Sequence, residues 1–174
     1  MTMKNRKKQE PTRYAEGTTV PVEKSHIEVQ KILKRYGATN SGFAEKGEAA
    51  AILFTMKGRR YRIELIYPAV GAFQQTGKVR RTQAQAAEAR EKEIRRLWRA
   101  LFMVVKAKLE AAQSGIVTFE QEFLAHTVLA NDQTMSEWME GQLRAGKVPL
   151  LPETAGARPE EVPDIVIEGE FDEV

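Results

Sequence analysis

"AAAILFTMKGRRYRIELIYP", Ala49 to Pro68, decides the fold of this chain. Ile52, Phe54 and Met56 alternate with Ala51, Leu53 and Thr55; beyond Lys57-Gly58, Tyr61, Ile63, Leu65 and Tyr67 alternate with Arg60, Arg62, Glu64 and Ile66. A period of two places each set on one face of a strand, and a two-residue break ending in glycine marks a tight hairpin. One face of the second strand is apolar. The other carries Arg60 and Arg62, with Lys57 and Arg59 at the turn. Just upstream, "SGFAEKGE" (Ser41 to Glu48) carries a Lys46-Gly47 turn signal and predicts a third, brief strand around Phe43. Such a three-stranded antiparallel meander needs a cover for its apolar face.

Helical patterns on both sides supply it. "PVEKSHIEVQKILKRYGA" places Val29, Ile32, Leu33 and Tyr36 at helical spacing, with Gly37 as a stop. Its start is open between a Ser25/Glu28 capping box and a longer helix with Pro21 in its first turn. Residues 69–81 read as a loop ending in "GKVRR". Thr82 with Gln85 then opens a helix from about Gln83 to about Ser114, closed by Gly115. Thr118/Gln121 opens a shorter helix holding Phe119, Phe123, Leu124 and Val128, and Thr134/Glu137 another holding Met135, Trp138, Met139 and Leu143. The expected fold class is α+β: N-terminal helix, antiparallel three-stranded meander, long helix packed on the sheet and two short C-terminal helices. A flexible basic arm (1–20) and an acidic, Pro-containing tail (149–174) flank a single domain (21–148).

The 174 residues include no cysteine, which removes disulfides and thiolate chemistry, and no apolar run reaches the roughly 18 residues of a membrane span. A soluble protein of the cytoplasm is expected. The net charge of +3 conceals an asymmetry: from Pro152 to Val174 eight acids face one base, Arg158, leaving residues 1–151 at +10. A basic body suits a polyanionic partner, and an acidic tail a regulatory, recruiting or merely solubilising role.

In "EKEIRRLWRALFMVVKAKLE" (Glu91 to Glu110), Ile94, Leu97, Trp98, Leu101, Val105 and Leu109 fall on one side of the helix. Lys92, Arg95, Arg96, Arg99 and Lys106 fall on the other. The aromatics read as core and the cations as one contributor to a wider basic surface. The candidate nucleic-acid-binding residues are Lys57, Arg59, Arg60, Arg62, Lys78, Arg80, Arg81, Arg95 and Arg99, with Tyr14 and Phe73 as aromatics for stacking. Glu122 and His126 lie four apart, but no third ligand joins them, and P-loop, GxSxG and kinase signatures are absent. No catalytic residue, metal or cofactor is expected.

The segments "TTVPVEKSHIEVQKILKRYGAT", "AILFTMKGRRYRIELIYP" and "RRLWRALFMVVKAKLEAAQSGIVTFEQEFLAHTVL" resemble a family of small uncharacterised proteins of bacteriophages and mobile elements. That resemblance implies a phage or prophage setting and no particular activity. The tail "PDIVIEGEFDEV" is similar in kind to the acidic tips of single-stranded-DNA-binding proteins, which recruit replication and recombination partners. The αβββα order is also that of double-stranded-RNA-binding domains, but the long last helix lacks their basic N-terminal motif. The expected function is non-enzymatic, sequence-independent binding of single-stranded DNA in phage replication or recombination. The alternative is a phage-encoded module that binds and modifies or inhibits a host protein, through the tail or the Trp138/Met139 helix. A small metal-dependent nuclease ranks third.

Overall fold

A computed structural model describes residues 13–76 and 79–148. Helix α1 (Val22–Arg35) leads into an antiparallel sheet of β1 (Asn40–Lys46), β2 (Ala49–Met56) and β3 (Arg59–Ile66), in the order β1-β2-β3. The central turn is Lys57-Gly58, with φ of 49° and 73°. Two consecutive positive φ values match the right-handed twist of the strands on either side, which is why the chain places a glycine there. β1 is a full seven-residue strand, because Gly47 at φ 62° starts a two-residue turn that pairs Lys46 with Ala49.

Cross-strand register separates the faces. Phe43, Ile52 and Ile63 align on the inner face, whereas Gly42, Leu53 and Arg62 align on the outer one. Helices α1 and α2 (Gln83–Gln113) both cover the inner face, where Val29, Ile32 and Leu33 of α1 and Trp98, Leu101, Val105 and Leu109 of α2 are buried with Ile52, Phe54, Tyr61 and Ile63. Trp98 is fully buried, its indole N–H donating to the Tyr67 hydroxyl at 2.7 Å, which donates onward to Glu45 at 3.0 Å. This chain of donors lets a polar-edged aromatic be buried without an orphaned N–H. His26 stacks on Phe43 at 3.9 Å and meets Trp98 edge-on at 4.1 Å.

Three expected capping boxes form, at Thr82/Gln85, Thr118/Gln121 and Thr134/Glu137. The fourth does not. Pro21 is the residue preceding α1, and Ser25 lies inside the helix, buried against the core, while Glu28 pairs with Arg99 of α2. Residues 69–81, expected as a loop, contain a 3-10 turn (Val70–Phe73) and a short ribbon of β4 (Gln75–Thr76) and β5 (Val79–Arg80). Helix α3 spans only Phe119–Phe123 and passes through a 3-10 turn at Leu124–His126. Val128 is therefore extended rather than helical: its N–H donates to the Arg60 carbonyl on the open edge of β3. Helix α4 (Met135–Arg144) follows. Among the described residues, no helix is long and apolar enough to cross a membrane.

Candidate nucleic-acid interface

The candidate cations fall into two groups, one at the β2–β3 turn and on β3, the other on β5, just after it and on α2. Lys57, Arg59, Arg60 and Arg62 belong to the β2–β3 turn and the first half of β3, next to α3. There Lys57 sits 5.1 Å over the Phe119 ring and 3.3 Å from Glu120. The Lys57 ammonium and the Glu120 backbone N–H hold the Glu120 carboxyl below its usual range, the backbone contribution being the larger. Arg59 and Arg60 are exposed. Arg62 is tied inward: it donates to the Asp132 carbonyl and the Glu137 carboxylate, both at 2.8 Å, and its Nε lies 2.9 Å from Glu64. With 17% of its side chain exposed, it fastens the start of α4 to the outer face of the sheet.

Arg80, Arg81 and Arg95 form the second group, near the N-terminal half of α2. Arg80 is exposed on β5, Arg81 reaches the Phe73 carbonyl at 3.4 Å, and Arg95 is half-buried. Lys78 lies outside the described residues. Arg99 is separate from both groups, bound to Glu28 and stacked 4.7 Å over Phe102. The stripe expected on this helix is largely neutralised: Lys92 pairs with Glu88, Arg96 with Glu93, Arg99 with Glu28, and Lys108 on the flank with Glu122.

A groove of about 1100 Å³ opens beside the second group. It is bounded by the segment from Arg13 to Thr19, the start of α1, Phe73 and Gln75 of the loop, and α2 between Ala89 and Arg96. Arg81, Arg95 and Phe73 line it together with Arg13, Lys92 and Arg96. Glu16, Glu23, Glu91 and Glu93 line it as well, so its charge is mixed. Local pattern could flag Arg96 through its i,i+3 spacing from Glu93, but the placement of Arg13 has no local signal. Tyr14 is exposed, and its carbonyl accepts from Arg96 at 3.4 Å.

Glu122 and His126 do not converge. Glu122 turns to Lys108, and burial followed by the Lys108 charge lowers the His126 pKa. Among the described residues, no group of three His, Asp or Glu side chains is placed to hold a metal. The basic arm up to residue 12 and the acidic tail from residue 149 lie outside the described residues. The chain matches no protein-family model, no curated protein and no solved structure.

Proposed function

We propose that this chain is a non-enzymatic protein that binds nucleic acid without reading sequence, with single-stranded DNA as its ligand. The observation that carries this is the groove lined by Arg13, Arg81, Lys92, Arg95 and Arg96 together with the partly buried Phe73. Cations along a groove follow a phosphate backbone, and an aromatic face beside them stacks a base of any identity. Duplex DNA hides its base faces, so Phe73 favours a single strand. The phage setting, with replication or recombination as the process, follows from the resemblance of residues 18–39, 51–68 and 95–129 to phage-encoded proteins.

Anisotropy of a labelled oligothymidylate, titrated at two salt concentrations with the full chain and with a chain ending at Leu151, tests the proposal. Steeply salt-dependent binding that strengthens when the acidic tail is removed is the expected result. Absence of binding at low salt refutes it. A second reading, a module that binds a host protein, is favoured by α4, where Trp138 and Met139 stay 38% and 36% exposed. Trp138→Ala should leave oligonucleotide affinity unchanged and abolish any protein contact made there.

A further inference from the structure

Glu93 holds a position in the groove that a phosphate would suit. Its carboxylate, only 14% exposed, accepts two parallel bonds from Arg96 at 3.0 and 2.8 Å and one from Arg13 at 3.1 Å. The Arg96 hydrogen bond is the main reason its pKa is depressed, with the Arg96 and Arg13 charges adding to it. Arg13 belongs to a strap, Arg13–Thr19, folded through two tight turns in which Glu16 N–H bonds the Arg13 carbonyl at 3.0 Å and Thr18 N–H the Ala15 carbonyl at 3.1 Å. Arg13–Glu93 and the bond from Arg96 to the Tyr14 carbonyl fasten this strap to α2. Guanidinium forks accept a carboxylate and a phosphate in the same bidentate geometry.

We infer that Glu93 is a built-in competitor for phosphate. It keeps Arg13 and Arg96 in place, holds the strap against α2, and yields both arginines when a strand phosphate enters. This rests on the nucleic-acid reading and assigns Glu93 the role of limiting affinity. Neutralising it leaves five groove cations facing three acids instead of four.

Glu93→Gln in the full chain tests this, with oligothymidylate as the probe across a salt series. Each cation newly paired with a single strand steepens the logarithmic salt slope by about 0.7. Two released arginines thus set a ceiling of about 25-fold tighter binding at 0.1 M salt relative to 1 M; about tenfold is expected, because glutamine still accepts a hydrogen bond. In an Arg13→Ala background the gain from Glu93→Gln should shrink, since one of the two released cations is missing. Without oligonucleotide, amide exchange at Glu16 and Thr18 should accelerate in Glu93→Gln as the strap loosens, with the thermal transition retained. If the natural chain binds but Glu93→Gln binds equally or more weakly with an unchanged slope, the competitor role is overturned and the nucleic-acid reading stands. If neither protein binds at low salt, the nucleic-acid reading fails first and takes the competitor role with it.

Discussion

Replacing Arg62 by alanine should destabilise the protein without weakening oligonucleotide binding, although its place on a cationic strand face suggests a phosphate contact. The guanidinium makes one bond to a backbone carbonyl at Asp132, one to the Glu137 carboxylate and a close ion pair with Glu64. A bond involving a charged group contributes about 1.5–3 kcal/mol when sheltered, and an exposed ion pair about 0–1 kcal/mol. Asp132 and Glu137 are themselves well exposed, so the two hydrogen bonds fall below the sheltered range, at about 1 kcal/mol each, for a total of about 2 kcal/mol. For a folded region of this size that corresponds to a fall in melting temperature of roughly 6–8 °C. The two tryptophans separate local from global loss, because Trp98 is in the core and Trp138 is on α4. Urea titration should move the midpoint, and amide exchange across 127–144 should accelerate more than in β2. Arg62→Lys should recover only part of the loss, since one ammonium cannot reproduce the planar fork. An Arg62→Ala protein of unchanged stability but weaker DNA binding refutes the reasoning and makes Arg62 a direct contact.

Three further outcomes follow from the same geometry. Substituting Arg81 and Arg95 together should weaken oligothymidylate binding and flatten the salt slope by about 1.4, whereas Arg59 and Arg60 should matter only for strands long enough to reach both groups; affinity measured against oligonucleotide length distinguishes them. Gly58→Ala forces a β-carbon into φ 73° and should cost about 1–2 kcal/mol in chemical denaturation, with DNA affinity at the groove unchanged. Burial lowers the His26 pKa below the ordinary histidine value of about 6.5, against the opposing pull of Glu45 and Glu23. Below pH 6.5 the unfolded chain therefore takes up a proton that the folded chain refuses, so stability falls as pH drops from 6.5 towards the folded-state value and is insensitive above that window. His126 acts with the same sign, and His26→Phe should leave only its share in a series of melts between pH 5 and 8.

The hairpin was legible because its information is local: a period of two, a Lys-Gly turn, and a return to a period of two within twenty residues. The three capping boxes were legible for the same reason. Ser25/Glu28 has the same spacing, yet the helix begins earlier, since Pro21 can precede a first turn that lacks N–H partners and Glu28 is claimed by Arg99. Val128 misleads through its i,i+4 relation to Leu124. The open edge of β3 offers its backbone a partner that no local pattern reveals. The candidate site suffers most from this limit. Sequence counts cations but does not show which acids meet them: Arg62 finds its partners 70 and 75 positions away, Arg99 finds Glu28 at 71, and Arg13 finds Glu93 at 80.

These long-range pairings also decide which group a strand would use. At the hairpin end, Lys57 faces Glu120 and the buried ring of Phe119, and Arg62 is committed to α4, which leaves Arg59 and Arg60 exposed. Two exposed cations give weak attraction of a kind that any basic surface shows. At the groove end, Arg81 and Arg95 line the same groove as Phe73, and Arg13 and Arg96 are both bound to the Glu93 carboxylate. The segment with Lys4, Arg6, Lys7 and Lys8 also joins the described chain at Arg13, on the groove itself. Among the described residues the groove, rather than the more conspicuous hairpin, thus brings several cations and an aromatic side chain to line one cavity.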